Sequence, residues 1–358
     1  MSSTRIAPIQ WLRALAATLV LLIHALESAK SGLITVTGEF APSIPNLAVF
    51  GASGVDLFFV ISGFVMAQSL SNADRNPWDF LAKRWLRIVP LFACLSVIYM
   101  MIMHDPLTRV SAFMSITVLP ILDTDGYHAP ALYPGWTLGF EFAFYMLVAI
   151  AMRAPRYRVE ALLALTIAVA ATGGFVHPSW APARILLNPL QLEFALGVLV
   201  WLAWRKGIAE RIAAPSLVIG IALLAVGLTF GMTDSLDVSV KAATAGISGY
   251  GRTWTWGIPW ALVVLGVIDT APRGRFERIL SRVGDASYST YLIHPSVIAL
   301  LWMVRDHIPT KSVYVFSLAF IVASTMSGLA VHRWIEQPLL ARLKRRRPVS
   351  IRRAPALA

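Results

Sequence analysis

Residues 9–28 read IQWLRALAATLVLLIHALES. A helix of about 20 residues rises roughly 30 Å, the thickness of a bilayer's hydrocarbon core. This run is therefore long enough to span, and too long for the apolar part of a cleavable signal; no small-residue cleavage site stands out after it. Nine further apolar runs follow, at residues 48–70, 85–103, 136–152, 160–176, 186–204, 215–232, 253–270, 286–304 and 314–335. The reading is an all-α polytopic membrane helix bundle of about ten transmembrane helices. A shorter, interrupted run near residues 112–122 reads as an interfacial or re-entrant piece.

Composition agrees. The 358 residues are 57% hydrophobic and only 14% charged, with a mean hydropathy of +0.67. Soluble domains carry about 25% charged residues, so a soluble enzyme, a disordered chain and a disulfide scaffold are excluded. The single cysteine, Cys94, allows no internal disulfide and reads as a small packing residue in an apolar run.

The net charge of +12 would suit nucleic acid, but its distribution points to a membrane. Most basic residues fall in alternate connections: Arg75, Lys83, Arg84 and Arg87, then Arg153, Arg156 and Arg158, then Arg205, Lys206 and Arg211, then Arg273, Arg275, Arg278 and Arg282, then the tail from Arg342. The other connections hold Lys30, Arg109, Arg184, Lys241, Arg252, Arg305 and Lys311. Positive residues stay inside, so both termini are expected in the cytoplasm. Residues 1–340 read as one transmembrane domain and 341–358 as a basic cytoplasmic tail near anionic lipid.

Ionisable groups within such spans are costly and mark candidate sites. Arg13 and His24 stand eleven residues apart on the first span, close to three turns, so they share a face about 16 Å apart along the axis. Asp56 in GVDLFFVISGF, Glu141 in WTLGFEFAFY, Glu193 in NPLQLEF, and Tyr291 and His294 in SYSTYLIH are expected in the same outer layer as His24. A histidine beside a carboxylate in a dry site can act as a general base, the carboxylate fixing its tautomer. The same layer also suits a proton relay in a transporter, or plain helix pairing. At the inner face, Arg84 and Arg87 in KRWLRIVP share a helix face and lie at the depth of Arg13. Guanidinium groups bind phosphate in bidentate fashion and a helix N-terminus also favours anions, so these three could hold a pyrophosphate-containing donor; on charge alone a plain positive-inside flank is the better explanation.

Weaker signals are His104, His128, His177 and His307, which are not arranged as metal ligands, so no metal is expected. Asp125 and His128 lie in the outer loop before Trp136 and could contact substrate. Trp254, Trp256 and Trp260 read as interfacial or packing residues, and Arg333 with Glu336 as a local polar cluster.

Taken in order, IQWLRALAATLVLLIHA, GVDLFFVISGFVM, KRWLRIVPL, WTLGFEFAFYM, SYSTYLIHP and IEQPL resemble the acyltransferase 3 family of integral membrane acyltransferases. The resemblance covers nearly the whole chain, and the segment NPLQLEFALG is similar to the exopolysaccharide-acetylating (ExoZ-type) branch. Thr137 stands where the family's WSLxxExxFY-like motif has serine. The family implies a ten-helix bundle in a bacterial-type inner membrane that moves an acyl group, usually acetyl from acetyl-CoA, onto an extracytoplasmic carbohydrate hydroxyl. It implies essential roles for Arg13 and His24, a basic motif at Arg84 and Arg87, and a functional Glu141. On this reading the donor phosphates meet Arg13, Arg84 and Arg87, His24 activates the hydroxyl by direct transfer or by way of a transient acyl-histidine, and Asp56 or Glu141 orients it. Trp136, Glu193, Tyr291 and His294 are candidate substrate contacts. No permanently bound cofactor is expected. The expected partners are the lipid bilayer, acyl-CoA, an extracytoplasmic glycan or lipid-linked saccharide and polysaccharide-assembly proteins, with no nucleic acid. A proton-coupled saccharide transporter or flippase remains the alternative, as does acylation of a lipid, peptide or small molecule such as a macrolide.

Overall fold

The computed structural model describes residues 6–34, 47–71, 76–104, 113, 122–123, 126–127, 130–176, 178, 180–230, 243–246, 248–271, 274–308 and 311–345. Asp125, His128, His177, most of the 112–122 run and the tail after Arg345 lie outside them.

Over the described residues each of the ten apolar runs is mainly helical, the 186–204 run being broken at residues 187–190. In chain order the elements are α1 (Ala7–Ser28), extended by a π-turn at Ala29–Leu33, then α2 (Leu47–Ala52), α3 (Gly54–Ser71) and α4 (Pro77–Met103). A two-residue antiparallel pairing joins β1 (Leu122–Asp123) to β2 (Gly126–Tyr127). There follow a 3-10 turn at Tyr133–Gly135, α5 (Trp136–Ala151), α6 (Arg158–Gly173), α7 (Ala181–Leu186), α8 (Gln191–Arg205) and α9 (Ile208–Phe230). The last group is α10 (Gly249–Arg252) with a π-turn at Thr253–Gly257, α11 (Ile258–Val267), α12 (Arg275–Asp285), α13 (Ser287–Met303), α14 (Val313–Val331), a π-turn at His332–Glu336 and α15 (Gln337–Arg345).

Among the described residues, seven helices are long and apolar enough to cross a membrane: Ala7–Leu33, Val49–Ser71, Pro77–Met103, Tyr133–Ala151, Ala181–Arg205, Ile208–Phe230 and Val313–Leu343. The other three sequence spans correspond to α6, α10–α11 and α13, which stay below that mark; α6 and α13 have 16 and 17 residues.

α1 and α3 occupy the centre. α1 packs on α3, α12, α13 and α14, while α3 packs on α8, α5, α6 and the π-turn after α10. α3 is apolar on all sides and mostly buried, as a helix surrounded by others should be. The outer helices present apolar side chains outward, such as Met101, Val218 and Leu318; lipid is the solvent such a surface needs. Cys94 is exposed on this outer surface rather than packed.

α3 and α8 touch through backbone. A Cβ on Gly63 would fall on the Phe194 carbonyl, and one on Gly197 would fall on the Val60 carbonyl. Small residues permit such approach, and association in lipid rests on close packing. Gly63→Val should therefore push the two helices apart and lower the thermal midpoint in detergent sharply, by the equivalent of about 3 kcal/mol or more. Gly139→Ala, whose added Cβ would meet only the flexible Ile185 Cδ1 at 3.3 Å, should cost far less; equal midpoints for the two variants would contradict this packing.

The start of α4 corrects the sequence boundary. Its Asn76 side chain accepts from the Trp78 N–H at 2.9 Å, Pro77 fills the first turn and Asp79 follows, a full set of N-terminal signals. Arg84 and Arg87 thus lie about two turns inside the helix, so the N–H groups of its first turn are not beside them.

Candidate active site

Arg13 of α1 and Arg84 and Arg87 of α4 meet at one cavity of about 140 Å³. The three guanidinium groups share it with one carboxylate, Glu141 of α5. Its polar wall includes Ser62, Thr137, Tyr145 and Tyr291, and its apolar wall includes Phe58, Phe59, Val65, Met66 and Leu138. The i,i+3 spacing of Arg84 and Arg87 turns both toward this space.

The acid is tied into the basic cluster. Glu141 Oε1 accepts from Ser62 Oγ at 3.2 Å and from the Tyr145 hydroxyl. The Arg84 guanidinium lies 5.7 Å from the centre of the Tyr145 ring and 5.3 Å from that of Phe80, and donates to Ser69 Oγ at 3.4 Å. Stacking against aromatic faces holds a guanidinium in place.

His24 stands in a neighbouring cluster. Its Nδ1 is 2.8 Å from the Val20 carbonyl oxygen. A carbonyl only accepts, so Nδ1 carries the proton and Nε2 has the lone pair. Among the described residues no hydrogen bond engages Nε2. The His24 ring stacks on Tyr133 at 5.2 Å and lies 4.6 Å from the His294 ring. His294 repeats the pattern: Nδ1 donates to the Tyr291 carbonyl at 2.8 Å, and Nε2 accepts from the Tyr133 hydroxyl at 3.3 Å. Tyr291 forms the wall between cluster and cavity. Its side chain lines the cavity, its hydroxyl donates to the Pro134 carbonyl at 3.2 Å and sits 3.1 Å from Thr137 Oγ1, and its backbone holds His294.

The expected pairing of His24 with a carboxylate is not made. Asp56 is bound in bidentate fashion by Arg252, Nε to Oδ1 at 3.1 Å and an Nη to Oδ2 at 2.5 Å, with both side chains buried. Glu193 is buried beside that pair and interacts electrostatically with both. A buried acid takes the strongest partner within reach, and a guanidinium fork outbids an imidazole. Trp136 is also in the core, edge-on to Phe140 at 5.8 Å, and does not line the cavity. Trp256 and Trp260 are buried and Trp254 faces outward, as packing and interfacial residues should. Glu336 pairs with His332 at 2.7 Å and accepts from Ser289 at 2.6 Å, so its partner is not Arg333.

The structure therefore brings Arg13, Arg84, Arg87, Glu141 and Tyr291 together, sets His24 with His294 beside them, and puts Asp56 with Glu193 elsewhere. Sequence reading missed Tyr133, Tyr145 and Arg252. Tyr145 lies four residues after Glu141 in the same motif, a spacing that signals a shared helix face. Arg252 reads as a connection residue because nothing in a single sequence shows what a short helix faces.

A family model described as an acyltransferase domain matches residues 6–331. The chain is 30% identical over 309 residues to the exopolysaccharide production protein ExoZ of Rhizobium meliloti (strain 1021), covering 83% of this chain and 92% of that protein. It is 25% identical to acyltransferase MdmB of Streptomyces mycarofaciens, over 89% of this chain and 88% of that protein. It is 26% identical to the putative membrane-bound transacylase BcsY of Komagataeibacter xylinus, over 91% and 81% respectively. No solved structure matches the chain.

Proposed function

The chain belongs to the acyltransferase 3 family and is a multi-pass membrane O-acyltransferase, and from that premise we propose that it moves an acetyl group from cytoplasmic acetyl-CoA to a hydroxyl of an extracytoplasmic polysaccharide or lipid-linked glycan. The observation that carries this reading is the junction of two sites: Tyr291 of the cavity with three guanidinium groups holds His294, and the His294 ring lies 4.6 Å from that of His24, whose Nε2 makes no hydrogen bond among the described residues. The similarity to an exopolysaccharide production protein supports the glycan as acceptor class. Both termini and the basic tail lie in the cytoplasm of a bacterial-type inner membrane on this proposal, which rests on the Lys and Arg distribution.

In the proposed reaction, Arg13, Arg84 and Arg87 hold the donor phosphates. The thioester carbonyl comes to His24. The acceptor hydroxyl loses its proton to His24 Nε2 as its oxygen attacks the carbonyl carbon. The carbon–sulfur bond breaks, the thiolate takes the proton, and an ester and coenzyme A result. Nδ1, held by Val20, stabilises the cationic ring while the proton resides on it. Glu141 orients Tyr145 and, through its ring, Arg84; it does not touch the base.

Arg84→Ala should raise the KM for acetyl-CoA about tenfold or more with a small change in kcat, because a charge-assisted contact to phosphate is lost from binding. Arg84→Lys should recover only part of this, since an ammonium lacks the planar fork. An unchanged KM in both variants would remove Arg84 from the donor site. Proton-coupled saccharide movement without any dependence on acyl-CoA would instead favour transport.

A further inference from the structure

The basic cavity has a further polar wall. Its lining includes Ser287 and Tyr288, the first two residues of α13. Ser287 is fully buried, and its Oγ has no hydrogen-bond partner among the described residues. A buried hydroxyl without a partner costs about 1–3 kcal/mol, and a ligand in the cavity is the natural acceptor. The same turn supplies backbone donors. α13 has 17 residues, and Ala286 at its N-cap offers no side-chain acceptor for the N–H groups of its first turn. Those groups carry the positive end of the helix dipole.

The position of this turn is set by α1. A Cβ on Gly284 would fall on the Gln10 carbonyl, so the end of α12 sits directly on α1, one turn before Arg13. Trp11 Nε1 fixes the same junction by donating to the Glu277 carbonyl at 3.0 Å and lying 3.1 Å from Ser281 Oγ. Three acids lie near: Arg13 interacts electrostatically with Glu141, Asp285 and Glu336 as well as with Arg87. Of these acids only Glu141 lines the cavity, so three guanidinium groups face one carboxylate across it before the helix dipole is counted.

We propose that Ser287 Oγ and the first-turn N–H groups of α13 complete, with Arg13, Arg84 and Arg87, a site for a phosphate or pyrophosphate group. As the donor's pyrophosphate site it deepens the function proposed above and rests on that reading; as an anion site it does not. The sequence placed the anion-binding helix terminus at α4. The structure assigns it to α13, because α4 starts well before its arginines.

The test is isothermal titration of the purified full-length chain with coenzyme A, inorganic pyrophosphate and pantetheine. Ser287→Ala should weaken coenzyme A and pyrophosphate about tenfold each and leave pantetheine, which has no phosphate, unchanged. Ser287→Asp should remove binding of both phosphate ligands. Equal affinities of wild type and Ser287→Ala for both phosphate ligands overturn the proposal. So does an equal loss for pantetheine, which would mark a general disturbance of the cavity. If wild type binds pyrophosphate through Ser287 but does not bind coenzyme A, the anion site stands and the donor reading fails. Competition of pyrophosphate by phosphatidylglycerol in nanodiscs would then identify a lipid headgroup as the source of the phosphate.

Discussion

His24→Ala is expected to lower acyl transfer by at least 10²–10⁴-fold, the usual share of a general base, while coenzyme A affinity stays within about twofold of wild type. The two effects separate because His24 does not line the arginine cavity and is linked to its Tyr291 wall through His294. His24 is half-buried, so truncation opens space beside Tyr133 and His294 rather than in the sealed core. His24→Gln keeps a polar side chain but has no basic nitrogen, and should be as inactive as the alanine variant. Added imidazole should restore part of the rate to His24→Ala and none to Arg84→Ala. A His24→Ala enzyme with normal turnover would remove the base from the account. One with lost coenzyme A binding would move His24 into the donor site.

The second large effect is on folding. Arg252→Ala should lower stability by about 3–5 kcal/mol, the cost of leaving a buried charge without its partner. Here two acids are left, Asp56 and Glu193, both fully buried. Arg252 also donates to the Ala52 carbonyl at 3.5 Å, so the same side chain ties α10 to α2 and α3. Arg252→Lys should recover little, since the bidentate geometry needs the guanidinium fork. Asp56→Leu combined with Arg252→Met should be more stable than either single change, and the double-mutant cycle measured by thermal unfolding in detergent should show coupling above about 1 kcal/mol. The alternative is specific. If Asp56→Asn keeps the wild-type midpoint and abolishes transfer, Asp56 belongs to the chemistry and not to the helix contact.

Much of this was readable in the chain. The helical bundle follows from ten runs of apolar residues, each of them mainly helical over its described residues. The arginine cavity follows from two facts of helical periodicity: Arg84 and Arg87 share a face, and Arg13 lies at a depth set by counting residues from the end of α1. Depth, however, is one coordinate, and partners need three. Asp56 and His24 were expected in the same layer; yet a layer of a bundle is wide enough to keep them apart, and Asp56 turns to Arg252 instead. Arg252 was counted among connection charges because it precedes the Trp254–Trp260 run, where a π-turn and a short helix blur the apolar pattern. Tyr133 sits in the 3-10 turn before α5, where no periodicity operates. The α4 boundary was missed because its first two turns carry Asp79, Lys83 and Arg84, which hydropathy excludes from a span although capping includes them in the helix.

On the proposed function, one chain transfers an acyl group from a donor held at the arginine cavity to a hydroxyl from the other side of the membrane, with His24 as the base. The most direct measurement is label transfer in proteoliposomes containing only this protein, with radiolabelled acetyl-CoA on one side and native glycan acceptors on the other. The expected result is labelled glycan in the opposite compartment, release of coenzyme A in equal amount, and loss of both with His24→Ala. Glycan moving across the bilayer unlabelled, or no turnover of any short acyl-CoA with the acceptor supplied, would contradict it.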